Sequence, residues 1–121
     1  MPIVKEIQGF HEEMVAWRHE LHAYPETAFE EVRTADFVAK KLAEFGIEVS
    51  RGLAKTGVVG TLSNGSGGSI GLRADMDALD IEEQTDLPFS SKVKGKMHAC
   101  GHDGHTTMLL GAANYLAKTK R

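Results

Sequence analysis

The chain has 121 residues and a net charge of −3, with 41% hydrophobic and 26% charged residues, a composition typical of one globular domain. This charge argues against a nucleic-acid-binding protein, and no apolar run approaches the ~20 residues of a membrane span. The start of the chain lacks a signal-peptide pattern and its one cysteine cannot form an internal disulfide, so we expect a cytoplasmic protein.

An amphipathic helix is predicted over residues 4–23. Apolar side chains recur there at three- and four-residue steps. Tyr24 should end the helix, because the residue before a proline avoids the helical conformation. The apolar positions are Ile7, Phe10, Met14, Trp17 and Leu21.

A second helix is expected to begin near Glu26 or Thr27. Gly46 suits its C-terminal end, because glycine adopts the left-handed conformation that terminates many helices. The predicted apolar face consists of Phe29, Val32, Phe37, Val38, Leu42 and Phe45.

Three short strands are predicted in the middle of the chain. Residues 47–50 and 57–62 are strand candidates, and the Gly/Ser-rich stretch 63–69 is a turn. Residues 70–73 read as a third strand, so the sequence predicts a hairpin over residues 57–73.

The last predicted element is a helix over about residues 105–119, which follows a polar and acidic loop. Its buried stripe is predicted to consist of Met108, Leu109, Ala112, Ala113 and Leu116. The order of helices and strands indicates an α/β layer fold. This fold looks unfinished, because such sheets usually have more than three strands.

The stretch "HACGHDGH", residues 98–105, concentrates metal-binding side chains. It contains His98, Cys100, His102 and His105, four of the chain's seven histidine and cysteine residues. In an extended segment, positions two apart point to the same side, so the Cys100 thiolate and the His102 imidazole should converge. These donors suit zinc, cobalt, nickel or manganese better than calcium or magnesium.

Other interpretations of individual residues stay open. A lone cysteine is more often a small buried hydrophobic residue, and Asp75 and Asp77 in "ADMD" fit a solvated acidic loop as well as a functional one. Arg18 and His22, four residues apart on one helix face, are interpreted as a local structural pair. A non-catalytic metal-binding or interaction module and a thiol redox protein are the alternatives to an enzyme.

Several segments together resemble the N-terminal part of the aminoacylase-like metal-dependent amidohydrolases, the metallopeptidase family that includes hippurate hydrolases, N-acetyl-diaminopimelate deacetylases and plant auxin-conjugate hydrolases. The resemblance covers residues 14–118 and is most specific in "RADMDAL" and "MHACGHDGH". It implies that residues 1–121 are an incomplete N-terminal portion of a zinc-peptidase-like catalytic domain, with helices packed on a central mixed sheet. The remainder of that domain and any lid or dimerisation domain would be absent.

The resemblance also implies roles for individual residues. Cys100 and His102 correspond to ligands of a two-metal centre, and Asp77 to the residue that orients a metal ligand. Asp75 lies where more distant relatives carry a metal-binding histidine. His98 and His105 would lie near the site but outside its ligand set.

The implied function is the metal-dependent hydrolysis of amide bonds in N-acyl amino acids or related conjugates. Two divalent cations (Zn, Mn, Ni or Co) would activate water and polarise the scissile carbonyl. The family's general-base glutamate lies in a later segment, so the 121-residue chain is expected to be inactive alone. The implied partner is a small-molecule substrate, and neither a nucleic acid nor a membrane is expected as a partner. The resemblance allows a homo-oligomer.

Overall fold

The computed structural model describes residues 2–119. It contains the helices α1 (Lys5–Gln8), α2 (His11–Ala23), α3 (Val32–Glu44) and α4 (His102–Thr119), and the strands β1 (Glu48–Leu53) and β2 (Gly57–Thr61). None of the helices in this part of the chain has the length and apolar character needed to cross a bilayer. The expected α/β class is confirmed.

The predicted first helix is interrupted by a turn at Gly9 and Phe10. The Gly9 and Phe10 amides bond back to Lys5 and Ile7, and a new helical ladder begins when the Met14 amide bonds to Phe10. Glycine weakens a helix because it loses more backbone freedom on folding than other residues do. The C-terminal boundary at Tyr24 is as predicted.

The second helix begins at Val32, five or six residues later than predicted. Residues 24–31 instead form a loop in which the backbone carbonyl of Glu26 accepts the Ala78 amide at 2.8 Å. The Glu26 carboxylate accepts the amides of Arg33 and Thr34 at 3.0 and 2.6 Å, so it caps α3 from within this loop. Phe29 and Val32, placed on the buried face by the prediction, are 62% and 63% exposed. Gly46 follows α3 with φ of 81°, as a helix-terminating glycine should.

The hairpin is formed by β1 and β2 rather than by residues 57–73. The two strands are antiparallel, with Glu48 opposite Thr61 and Leu53 opposite Gly57. Residues 70–73 do not form a strand, and Ile70 is 87% exposed. An extended apolar segment becomes a strand only when a neighbouring strand satisfies its backbone groups, and none among residues 2–119 lies beside it. The central mixed sheet that the resemblance implies is not formed by these residues alone.

The core lies where α2, α3, α4 and the hairpin meet. Trp17, Leu42, Ile47 and Leu110 are buried there, and the Trp17 and Phe45 rings lie 5.7 Å apart. A Cβ on Gly111 would lie 2.6 Å from Met14 Cε, so this glycine brings α4 close to α2.

The buried face of α4 differs from the predicted stripe. Met108 is 59% exposed, and Leu109, Ala112, Ala113 and Leu116 are only partly buried. The reason is that α4 turns its polar and small side chains toward α2 and α3. The buried residues are Asp103, Thr106, Thr107, Leu110, Gly111 and Asn114.

Candidate metal centre

The candidate site lies where the start of α4 meets the extended segment that carries "ADMD". Gly101 has a φ of 89°, a conformation that glycine adopts without strain, and it turns the chain into α4. The Asp103 carboxylate then accepts the Gly104 amide at 2.9 Å in the first turn of the helix. This local geometry points His102 and His105 from the first turn of α4 toward Asp75 and Asp77.

His102 lies between two carboxylates. Its Nδ1 atom is 2.9 Å from Asp77 Oδ1, and its Nε2 atom is 3.4 Å from Asp75 Oδ2. A carboxylate that accepts a hydrogen bond from one imidazole nitrogen fixes the ring and leaves the other nitrogen free to bind a metal. The contact is the one expected for Asp77 as an orienting residue, and that role stays a prediction.

Asp75 joins the two histidines of the first turn. Its Oδ1 atom lies 2.7 Å from His105 Nδ1, and its backbone carbonyl accepts the Thr106 hydroxyl at 2.9 Å. The hydrogen bond with His105 holds the pKa of Asp75 below its ordinary value, against the opposing effect of burial. Asp75 is therefore ionised at neutral pH.

Together these side chains form a compact set of metal donors. Asp75, His102 and His105 each offer one ligand atom, and these atoms lie within 4.8 Å of one another. Cys100 is exposed and is not part of this cluster. The chemistry of the three donors fits the divalent metal that the sequence predicts, whereas the role of Cys100 as a ligand stays a prediction.

His98 differs from the other histidines of its motif because it is buried. Only 4% of the residue is exposed, and neither ring nitrogen has a hydrogen-bond partner among the described residues. Burial lowers the pKa of His98, so the ring is neutral at neutral pH. Its ring lies 6.4 Å from that of His22, and it is not in the donor cluster.

A second polar network, which the sequence analysis did not identify, lies next to His98. His22 Nδ1 is 2.8 Å from Asp103 Oδ2, and His22 Nε2 is 3.0 Å from Glu83 Oε1. Arg18 Nε lies 3.3 Å from the same Asp103 oxygen. Both nitrogens of His22 face carboxylates, which only accept hydrogen bonds, so His22 is the donor in this network. Arg18 and His22 are thus a structural pair, but their shared partner lies on α4.

Glu83 attaches the acidic loop to this network. Its side chain is 3% exposed and accepts the Ser91 amide at 2.7 Å and the Thr85 hydroxyl. Burial alone would raise the pKa of Glu83, but the hydrogen bonds from Thr85, Ser91 and His22 outweigh it and bring the pKa below its ordinary value. The only sequence signal for this network is the pair of polar residues, Arg18 and His22, on one face of α2.

Comparison with known proteins shows that the part of the chain with this site is similar to one peptidase family. Residues 71–121, which include the whole candidate site, match the model of peptidase family M20/M25/M40. The hippurate hydrolase of Campylobacter jejuni is 55% identical over 118 residues, which cover 97% of this chain and 30% of that protein. The chain is therefore similar to the M20 peptidases in residues 71–121 and to a hippurate hydrolase along nearly its whole length. The resemblance recognised in the sequence is therefore confirmed.

Two further relatives extend the comparison. The N-acyl-L-amino acid amidohydrolase of Geobacillus stearothermophilus is 45% identical over 109 residues, 89% of this chain and 30% of that protein. The Bacillus subtilis YXEP protein, described as a dinuclear metal-binding peptidase of the M20 family, superposes with a TM-score of 0.87 at 44% identity. That superposition covers 93% of this chain and 32% of YXEP. The chain thus spans about 30% of the length of the curated relatives it matches.

Proposed function

We propose that this chain is the N-terminal part of a metal-dependent hydrolase of amide bonds in N-acyl amino acids or related conjugates. The observation that carries the proposal is the imidazole of His102 held between Asp77 and Asp75 at the start of α4. The names of the hippurate hydrolase and the N-acyl-L-amino acid amidohydrolase support the substrate class. A cytoplasmic location and a small-molecule substrate, without nucleic acid or membrane, belong to the same proposal.

The residues of this chain fit the two divalent cations of such an enzyme. Cys100 and His102 are the proposed ligands, and Asp77 would hold His102 in the tautomer whose Nε2 lone pair is free. When bound, the cations would supply Lewis acidity toward the scissile carbonyl and activate the attacking water. Zinc, manganese, nickel and cobalt all suit these donors.

The 121 residues are proposed to be inactive alone. The two proposed ligands, Cys100 and His102, do not fix two cations, and residues 106–121 contain no glutamate that could serve as a general base. The buried Glu83 carboxylate is engaged by hydrogen bonds with His22 and Ser91, so it is unsuitable as a proton shuttle. The base is proposed to come from a part of the protein outside these residues.

The first prediction concerns turnover. Purified residues 1–121, assayed with N-acetyl and N-benzoyl amino acids and added zinc or manganese, should show no turnover above that of free metal. A longer form that continues through the remaining length of its relatives should be active. In that form Asp77→Asn should lower kcat by about 10- to 100-fold, because the orientation of His102 is lost.

The control for this prediction is Asp36→Asn, at an exposed position on α3. It should leave kcat unchanged in the longer form. Turnover by residues 1–121 that disappears in Cys100→Ala would contradict the proposed inactivity. A longer form that binds metal without turning over either substrate class would favour the alternative, a non-catalytic metal-binding module.

A further inference from the structure

The donor cluster contains two residues, Asp75 and His105, that lie outside the ligand pair Cys100 and His102 implied by the family resemblance. Their ligand atoms lie within 4.8 Å of each other and of a ligand atom of His102. Two donors bound to one zinc or cobalt ion are at most about 4 Å apart, because each bond is about 2.1 Å long. Small rotations of the side chains would therefore bring all three donors to one ion.

Within the cluster, two ring nitrogens face one carboxylate, which is an arrangement that can bind a cation. His102 Nε2 and His105 Nδ1 both face the Asp75 carboxylate, at 3.4 and 2.7 Å. In the shorter contact a proton lies between the His105 ring nitrogen and the Asp75 oxygen, whereas His102 Nε2 can face Asp75 with its lone pair. A divalent cation can take the place of that proton, since it binds the nitrogen lone pairs and the carboxylate oxygen together.

The charges of the carboxylates and the orientation of the His102 ring also favour a divalent cation in this cluster. Asp75 and Asp77 bring two negative charges to the cluster, and no lysine or arginine between residues 2 and 119 forms an ion pair with either. Asp77 fixes the His102 ring through Nδ1, so Nε2 is the nitrogen that faces Asp75. His105 is 46% exposed, so water can reach the site and complete the coordination.

We propose that Asp75, His102 and His105 bind one divalent transition-metal ion, such as Zn²⁺ or Co²⁺, in this chain without Cys100. Two imidazoles and one carboxylate with open positions suit these metals and not calcium or magnesium. The Cys100 thiolate lies outside the cluster. Cys100 would bind metal in the complete enzyme with its two ions, whereas this site takes one ion.

The test is titration of the 121-residue protein with Co²⁺, followed by calorimetry and visible absorption. The wild-type protein should bind one Co²⁺ without a thiolate-to-cobalt charge-transfer band. Asp75→Asn and His105→Gln should each raise the Kd by about tenfold or more, since the first removes the carboxylate charge and the second the imidazole donor. Cys100→Ser should leave the Kd within about twofold, less than 0.5 kcal/mol. The matched control is His11→Gln, at an exposed histidine that begins α2 and should bind as the wild type does.

A measurement on the wild-type protein tests the proposal even if a variant fails to fold. Binding of Zn²⁺ should shift the ring ¹⁵N signals of His102 and His105 but not those of His11. The proposal is overturned if the His105 signals do not move, if a charge-transfer band appears, or if Cys100→Ser weakens binding as much as Asp75→Asn. The proposed metal site does not depend on the hydrolase activity. If the 121-residue protein binds metal at this cluster but the longer form is inactive, only the proposed function is wrong. If the longer form is active but this cluster binds no metal, only the proposed site is wrong.

Discussion

Asp103 is the residue on which the polar interior of this chain depends. It is 1% exposed, and its carboxylate contacts His22 at 2.8 Å and Arg18 at 3.3 Å. A buried carboxylate loses its hydration, and only close cationic partners and hydrogen bonds offset that loss. Arg18 remains 44% exposed at its side chain, so His22 is the partner that shares the buried environment.

We therefore predict that Asp103→Ala lowers the free energy of unfolding by about 1–3 kcal/mol, because it leaves the buried His22 Nδ1 atom without its hydrogen-bond partner. Urea unfolding of the two proteins measures this difference. The matched control is Asp36→Ala, which removes an exposed ion pair with Arg51 and should cost about 1 kcal/mol or less. Equal losses for the two variants would contradict the role assigned to Asp103.

At the scale of single elements, the close approach of β1 and β2 depends on a glycine, Gly57, which has no side chain. Its register changes between Arg51 and Leu53, and Gly57 lies opposite Leu53 where β2 begins. A Cβ on Gly57 would clash with the backbone oxygen of Leu53. A backbone atom cannot move aside as a flexible side chain can, so a larger residue here must displace the strand.

Gly57→Ala is predicted to lower the free energy of unfolding by about 1–3 kcal/mol, the usual cost of overpacking. Thermal or urea unfolding provides the measurement. Gly68→Ala, at a position with no atom near the added methyl group, should stay within about 0.5 kcal/mol of wild type. A Gly57→Ala protein as stable as this control would show that β1 and β2 do not approach each other as the structure has it.

For the molecule as a whole, the acidic loop is held to the helices by Glu83. Its carboxylate bonds to His22 on α2, which in turn contacts Asp103 on α4, so one network joins three separate parts of the chain. Elsewhere the described part leaves much surface uncovered. Its accessible area of 7969 Å² exceeds the roughly 6400 Å² of a compact monomer of this mass. Exposed Ile70 and Leu72 contribute to this excess, which supports the proposal that the chain is part of a larger domain.

The lowered pKa of Glu83 predicts how stability depends on pH. The unfolded chain binds its proton at a higher pH than the folded chain, so Glu83 contributes its full stabilisation above its unfolded pKa of about 4.3. That contribution is lost as the pH falls through the lower folded value. The difference in stability between wild type and Glu83→Gln should thus be largest near neutral pH and shrink below about pH 4.

Urea midpoints measured from neutral to acidic pH test this dependence. The matched control is Glu12→Gln, at an exposed glutamate on α2. A difference for Glu83→Gln that stays constant over the whole range, or that is no larger than that of the control, would contradict the prediction.

The sequence alone determined the features that depend on neighbouring residues. Apolar periodicity located the body of each long helix, proline and glycine marked the ends at Tyr24 and Gly46, and strand β2 was placed within one residue. The donors of the candidate site could also be found, because His102 and His105 lie close together in one motif and Asp75 and Asp77 in another.

Only the tertiary structure decided which distant groups meet. His22 contacts Asp103 across 81 residues and Glu83 across 61, and no local pattern specifies such pairings. The buried face of α4 was mispredicted because packing against α2 and α3, not the helix's own apolar stripe, decides which face is covered. Residues 70–73 have the composition of a strand but no partner strand within residues 2–119, because sheet formation depends on hydrogen bonds from a neighbouring strand.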